Sequence, residues 1–236
     1  MNEELEKLQN EVKQYSERIE EICKTDSEIN NLYKGTQIYF SPVSENPDFL
    51  FIGINPGSGF FKRYGIKVKK YSPLEKSEYE TEEYTLQSEW KYVFGEKEKI
   101  NNLPLLYKSP KINFSFLATN STTELAELKT KLRRYFGNEY DIKEREWVKI
   151  LISVIHPQIL ICEGFEVFRN LQAIYPKEDF VMDASEDWDV HKVAYLNKNI
   201  TVMAFKRIYS RFINIEDVVD TIYDFHKALN KENVTL

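Results

Sequence analysis

The sequence predicts an α/β fold in three layers, with a mostly parallel central sheet and helices on both of its faces. Short apolar runs bounded by turn residues occur at 49–54, 159–162 and 200–205, as expected for buried strands. Amphipathic helical segments separate these runs, an alternation typical of a parallel sheet covered on both sides. The 236 residues are 42% apolar, enough for a sizeable core, and we expect one domain over residues 1–236.

The chain begins with a predicted amphipathic helix over about residues 2–24. Its apolar residues recur at steps of three and four and so form one stripe: Leu5, Leu8, Val12, Tyr15, Ile19 and Ile22. We expect this stripe to dock on the rest of the domain. A short coiled-coil dimer is the alternative, although three heptads are few for such an assembly.

The first predicted core strand, 49–54, ends abruptly in a turn. Pro56 biases Asn55 towards an extended conformation, while Gly57 and Gly59 permit positive φ and a close approach of the backbone to a ligand. Ligands of open α/β sheets bind at the carboxyl edge of the strands. We therefore expect the Asn55 amide to face a ligand, and the charged, aromatic segment 62–102 to be a natural source of covering structure.

A second strand is predicted at 113–120, with Asn120 at its polar end. Ser121 or a following threonine is expected to cap the next helix, and His156–Pro157 to end the helix after that. Strand 159–162 then turns at Glu163–Gly164 into a helix at 165–171. The last strand, 200–205, is followed by the basic segment 206–211 and a closing helix at 217–229.

Charge and cysteine content exclude several classes of protein. The net charge is −6, so the surface is not globally basic, although three local clusters of Lys and Arg occur near residues 62–70, 129–134 and 206–211. Charge runs are most often solvated faces. Cys23 and Cys162 are far apart in sequence, which indicates neither a disulfide framework nor a zinc site and suits a reducing cytoplasm.

The sequence also lacks signals for export, membrane insertion or a dinucleotide. The amino terminus is acidic and amphipathic, and no apolar run is long enough to span a bilayer, so we expect a soluble cytoplasmic protein. The glycines at 53, 57 and 59 do not have the spacing of a dinucleotide site, and His156, His191 and His226 have no metal-ligand spacing. No cofactor or metal is predicted.

Gly53-Ile54-Asn55-Pro56-Gly57 resembles the first motif of the uracil-DNA glycosylase superfamily, in particular its mismatch-specific and single-strand-selective branches. Phe116-Leu117-Ala118-Thr119-Asn120 is similar to the second element of that family, a strand ending in Asn. Residues 156–164 are similar to the third. The resemblance spans about residues 49–211 and implies a uracil-DNA glycosylase-like fold.

The resemblance implies a DNA-repair hydrolase that flips a deaminated or modified base out of DNA and cleaves its N-glycosidic bond. Asn55 would orient the water, Asn120 would read the pyrimidine edge, and Phe60 or Phe61 would stack on the base. Gly53, Ile54, Pro56 and Gly57 would complete the base pocket. The DNA contacts implied are Lys62, Arg63, Tyr209, Ser210 and Arg211.

The last motif departs from the family pattern, because His-Pro-Ser or Asn-Pro-Ser is replaced here by a segment with neither His nor Pro. Lys206 or Arg207 could stabilise the departing base anion, which makes them candidate catalytic residues beside Asn55. Two alternatives stay open: a nucleic-acid-binding protein without turnover, and a pocket for a free base or nucleoside. Asn120 could also simply cap the following helix.

Overall fold

A computed structural model describes residues 3–183, 190–208 and 210–232 of the chain, with side chains to residue 228. The helices are α1 (Glu3–Cys23), α2 (Ser27–Leu32), α3 (Gly59–Tyr64), α4 (Glu78–Thr81), α5 (Thr85–Gly95), α6 (Leu103–Lys108), α7 (Thr122–Phe136), α8 (Glu139–Ile155), α9 (Phe165–Ile174) and α10 (Ile215–Glu232). The strands are β1 (Gly35–Gln37), β2 (Phe49–Gly53), β3 (Val68–Lys70), β4 (Lys111–Asn113), β5 (Ile159–Cys162), β6 (Phe180–Met182), β7 (His191–Leu196), β8 (Ile200–Phe205), β9 (Arg207–Ile208) and β10 (Arg211–Phe212).

The protein is α/β, with a mixed six-stranded central sheet in the order β4-β2-β5-β8-β7-β6. β4, β2, β5 and β8 are parallel to their neighbours within this group, whereas β7 and β6 add antiparallel pairs at one edge. The expected parallel core is therefore confirmed, and the antiparallel edge was not predicted. Two further pairs, β1-β3 and β9-β10, lie outside the central sheet.

Alternate side chains of the buried strands point into two separate cores. Leu50 and Ile52 of β2 pack with α1, α2, α7, α8 and α9 on one face, while Phe49 and Phe51 pack with α4, α5, α6 and α10 on the other. This follows from the period of two in a strand, since a central parallel strand is covered on both sides. The arrangement is a three-layer sandwich.

The amino-terminal helix packs on the first of these cores. Leu5, Leu8, Val12, Tyr15 and Ile19 are buried there. The expected docking of the stripe is confirmed, and the same residues are not exposed for a coiled-coil partner. Among the described residues, none of the helices is both long enough and apolar enough to pass through a bilayer.

The connections between the parallel strands create a crevice. From β2 the chain moves to β4 on one side, then crosses back to β5 on the other side of β2. The segments leaving the carboxyl ends of β2 and β5 therefore diverge, and such a switch point is where open α/β sheets bind ligands. The two strands end at Gly53 and Cys162.

The second predicted strand is placed differently from the expectation. β4 covers Lys111–Asn113 and ends at Asn113, where the expected strand began, rather than at Asn120. Phe114 and Ser115 continue to bond to the chain after β2, and Leu117 forms only an isolated bridge to Thr36. Residues 114–118 are buried but do not form a continuous ladder of strand hydrogen bonds. The apolar pattern alone does not distinguish such a buried segment from a strand.

Candidate functional site

A cavity of about 620 Å³ opens at the carboxyl ends of β2, β4 and β5. We refer to it as the central cavity. Its floor and one wall come from strand ends and the turn after β2: Gly53, Ile54, Asn55, Pro56, Gly57, Lys111, Asn113 and Glu163. Its other walls include Gln37, Phe40, Phe60, Arg63, Tyr64, Lys70, Glu78, Glu82, Glu83, Tyr84, Arg207 and Ser210.

The turn after β2 fixes the Asn55 side chain. Asn55 Nδ2 donates to the backbone oxygen of Pro56 at 2.9 Å and to Thr119 Oγ1 at 3.0 Å. Thr119 Oγ1 in turn donates to the backbone oxygen of Ser121. Because the nitrogen end of the amide is anchored in this way, Asn55 Oδ1 is the end that can accept a hydrogen bond from a water or ligand in the cavity.

Asn113 supplies a second amide at the cavity floor. It pairs in register with Gly53 across β4 and β2, and only 4% of its surface is exposed. No hydrogen bond between described residues involves its side chain, although a buried amide ordinarily has partners. The side chain lines the cavity, so a ligand there would satisfy its donor and its acceptor together.

Gly53 makes room for these groups. A Cβ at this position would lie 2.1 Å from Asn113 Oδ1 and 2.9 Å from Glu163 Oε2. Neither contact is sterically possible without movement of the buried side chains. The first glycine of the turn motif is therefore required by two polar groups on the neighbouring strands.

A network of charges forms part of the cavity lining. Lys111 Nζ donates to Glu78 Oε1 at 2.6 Å, Glu163 Oε1 at 3.1 Å and the Tyr84 hydroxyl at 3.1 Å. Glu163 Oε1 also accepts from the Tyr79 hydroxyl at 2.6 Å and from Trp90 Nε1 at 3.2 Å. An ammonium has three donors, so these contacts use all that Lys111 has.

The network keeps Glu163 ionised. Burial by itself would raise the pKa of Glu163, but the charges of Lys111 and Arg207 and the hydrogen bonds from Tyr79 and Lys111 lower the pKa below its ordinary 4.5. Burial would likewise lower the pKa of Lys111, and the carboxylates of Glu163 and Glu78 hold this pKa well above 10.5. Burial and the Glu163 charge raise the pKa of Tyr79, which therefore stays a donor.

Arg207 is a cation at the edge of this network. Its Nη2 donates to the backbone oxygen of Glu163, and its guanidinium lies against Gly164, where a Cβ would be 3.3 Å from Nη2. Gly164 has a φ of 115°, a conformation that favours glycine. Arg207 Nε is buried and has no hydrogen-bond partner among the described residues, and the side chain lines the cavity.

The mouth of the cavity carries aromatic rings and an ion pair. The rings of Phe60 and Tyr64, one turn apart on α3, have centroids 4.7 Å apart, and Tyr64 is 56% exposed. Arg63 forms two hydrogen bonds to Glu82, at 2.8 and 3.3 Å, and both residues line the cavity. Arg63 is thus engaged with a carboxylate rather than open to solvent anions.

The structure brings together most of the expected site residues, but not Asn120. Asn120 is exposed, and its Nδ2 donates to Glu124 Oε1 and Oε2 at 3.0 and 2.9 Å at the start of α7. Ser121 accepts from the Glu124 backbone N–H and caps the helix as expected. The prediction that Asn120 shares a recess with Asn55 is wrong, since the acidic first turn of α7 binds the Asn120 amide outside the cavity.

Two other expected site residues also lie outside the central cavity. Phe61 is not among the residues that line the cavity, and Lys34 Nζ lies 4.7 Å from its ring centroid. Lys206 is exposed, and its backbone pairs with Val190 and Ile213.

The expected DNA contacts lie in different places. Lys62 and Arg211 are exposed outside the cavity, whereas Ser210 lines it. Tyr209 lies outside the described residues. Asn55, Gly53, Ile54, Pro56, Gly57, Phe60, Arg63 and Arg207 all line the cavity.

Sequence reasoning missed Asn113, Lys111 and Glu163 as site residues. Glu163 was recognised only as a turn residue, and Asn113 only as the start of a strand. A signal for them was present in the sequence. Polar residues stand at 111, 113 and 163, at the ends of short strands whose other side chains are mostly apolar.

Within the described residues, no group of three or more His, Cys, Asp and Glu side chains is arranged to hold a metal ion. Comparison with models of protein families gave no match, and comparison with curated proteins gave no significant match.

Proposed function

We propose that the protein is a uracil-DNA glycosylase-like hydrolase, which removes a deaminated or modified base from DNA by hydrolysing its N-glycosidic bond. One observation carries this proposal: the buried Asn113 amide has no partner among the described residues and faces the central cavity, next to the turn that resembles the family's first motif. The finer fold assignment, uracil-DNA glycosylase-like, belongs to the same proposal. It is supported by the position of that turn at the switch point between β2 and β5.

The Asn113 amide suits an extruded keto pyrimidine. An amide offers one donor and one acceptor in a plane, which complements a ring carbonyl beside a ring N–H. Cytosine presents an amino group and an unprotonated ring nitrogen at the same edge, so it would be mismatched at both ends of the amide in the orientation that suits uracil. Phe60 at the cavity wall provides a face on which the base can stack.

Hydrolysis requires an oriented water and stabilisation of the leaving base. Asn55 Oδ1, fixed because Nδ2 is anchored to Pro56 and Thr119, would accept a hydrogen bond from the water that attacks the sugar carbon. Arg207, whose side chain lines the cavity, would stabilise negative charge on the departing base through its positive charge. Asn55 is a weak base, so its contribution is orientation rather than proton abstraction.

The partner in this proposal is DNA, and the compartment is the cytoplasm, which the free cysteines Cys23 and Cys162 suit. The test is excision from a uracil-containing oligonucleotide, followed by alkaline cleavage of abasic sites. We expect strand cleavage by the wild type and a strong reduction in Asn55→Ala. Intact strands with both proteins would reject the enzyme.

A second candidate is a protein that binds a flipped base without cleaving it. The residues at the end of β8 favour it, because Lys206 and Arg207 stand where active family members carry His or Asn. In that case a uracil-containing oligonucleotide would bind more tightly than its cytosine counterpart, Asn113→Ala would abolish the difference, and no abasic sites would form.

A further inference from the structure

A second groove lies beside the central cavity, on the far side of Phe60. It has a volume of about 670 Å³ and is lined by Glu20, Cys23, Lys24, Asn30, Phe60, Ile66, Lys67, Lys69 and Lys70. We refer to it as the lysine groove. Phe60 and Lys70 line both the groove and the central cavity, so the two recesses adjoin each other.

We propose that the lysine groove binds the backbone of single-stranded DNA next to the nucleotide whose base occupies the central cavity. This inference rests on the proposed function and extends it with a path for the strand. The path leads away from α3 along β3, and so differs from the contacts that the resemblance implies.

The charges of the groove support a polyanionic occupant. Lys69 is paired with Glu20 at 2.6 Å and Lys24 with Glu21, so these two are already neutralised. Lys67 Nζ donates to Asn30 Oδ1, and Lys70 Nζ lies 5.0 Å from the centroid of the Phe60 ring. Neither of them forms an ion pair with a carboxylate in the described part of the chain, which leaves two cations for phosphates.

The apolar residues of the groove favour a single strand over a duplex. Ile66 is 61% exposed, and Phe60 separates the groove from the cavity. Cations interleaved with apolar and aromatic side chains are typical of surfaces that bind unstacked nucleotides. In a duplex the bases face one another, so such side chains would gain no contact with them.

β3 carries Lys69 and Lys70, and Lys67 directly precedes it. Its parallel pairing with β1 sets Val68 opposite Gly35 and Lys70 opposite Gln37, with Val68 buried. A Cβ at Gly35 would lie 2.1 Å from the Val68 backbone oxygen, and Gly35 has a φ of 118°. The position of β3 against the body of the protein is therefore fixed closely by the backbone rather than by flexible side chains.

The test is binding of a fluorescent single-stranded oligonucleotide without uracil, measured by anisotropy at several salt concentrations. We compare the wild type with the double variant Lys67→Ala/Lys70→Ala. Its control is Lys97→Ala/Lys108→Ala, which makes the same change in net charge at exposed lysines outside the groove. Circular dichroism confirms that both variants are folded.

We expect the groove variant to bind at least about tenfold more weakly and to lower the magnitude of the salt slope by about 1.4, that is, about 0.7 for each of two lost phosphate contacts. The control variant should have the affinity and the salt slope of the wild type. Equal affinities of the two variants would overturn the inference. So would equal binding of a duplex of the same sequence, or equally effective competition by polyglutamate.

This experiment separates the groove from the base pocket, since the oligonucleotide contains no uracil. A loss of affinity in the groove variant, together with no excision and no preference for uracil in the wild type, would retain the groove and reject the proposed function. Excision of uracil by the wild type, together with unchanged affinity of the groove variant, would retain the proposed function and reject the groove.

Discussion

Asn113 Oδ1 occupies the space that a side chain on Gly53 would need: a Cβ there would lie only 2.1 Å from this oxygen. The two residues are partners in the parallel pairing of β2 and β4. The glycine that starts the motif after β2 thus admits an amide from the next strand into the central cavity, and this amide has no hydrogen-bond partner in the described part of the chain. This relationship connects the sequence motif to the candidate base-binding group.

Gly53→Ala should destabilise the protein by about 1–3 kcal/mol, because the new methyl group must displace the buried side chains of Asn113 and Glu163. Urea unfolding measures this effect. The control is Gly59→Ala, where a Cβ meets no atom within 4 Å. Equal unfolding free energies of the two variants would contradict the close packing at Gly53.

Arg207→Met should slow base excision by about 10²- to 10³-fold, the usual cost of removing one donor to a developing anion. Lys206→Met is the matched control, because its side chain is exposed outside the cavity. Single-turnover rates on a uracil-containing oligonucleotide provide the comparison. Similar rates for the two variants would show that Arg207 does not act on the leaving base.

Glu163→Gln should lower the free energy of unfolding at neutral pH. It should also make this free energy less dependent on pH in the acid range. The pKa of Glu163 is lower in the folded protein than its ordinary 4.5, so its stabilisation is present above that value and is lost as the pH falls through the folded pKa. The difference in unfolding free energy between wild type and Glu163→Gln should therefore shrink as the pH falls below about 4.5.

Glu75→Gln is the control for this pH series, because Glu75 is exposed. Its unfolding free energy should follow that of the wild type at each pH. A difference between wild type and Glu163→Gln that stays constant through the acid range would contradict the role of the buried charge.

Glu82→Gln should strengthen binding of single-stranded DNA, because it releases Arg63 from its two hydrogen bonds to the carboxylate. One additional phosphate contact would steepen the salt slope by about 0.7. Glu83→Gln is the control: it removes the same charge from the cavity wall, and Arg63 pairs with Glu82 rather than with Glu83 among the described residues. If both variants gain affinity equally, net charge rather than release of Arg63 is the cause.

Much of the fold could be predicted from the sequence. β5 and β8 have the expected bounds, and β2 ends one residue early, because short apolar runs between turn residues are a strong signal for buried strands. β6 and β7 were not anticipated. Their pattern is only partly buried, with Lys192 and Tyr195 intermediate between buried and exposed, and so gives a weaker signal.

The site was predicted in part. The turn at Asn55 was located from its glycine and proline residues, whose backbone constraints are local. The second amide was assigned to Asn120 instead of Asn113, because the end of β4 is set by its register with Gly53 rather than by the apolar pattern of residues 114–118. Glu163 and Lys111 approach each other across β2, a relationship that depends on strand order.

The most direct test of the base-binding cavity compares Asn113→Ala with Asn120→Ala in uracil excision and in binding of a uracil-containing oligonucleotide. If the cavity reads the base through Asn113, its variant loses the preference for uracil over cytosine and most of the excision rate. Asn120→Ala, which removes only contacts to Glu124, retains both. An unchanged Asn113→Ala, or a loss confined to Asn120→Ala, would contradict the account.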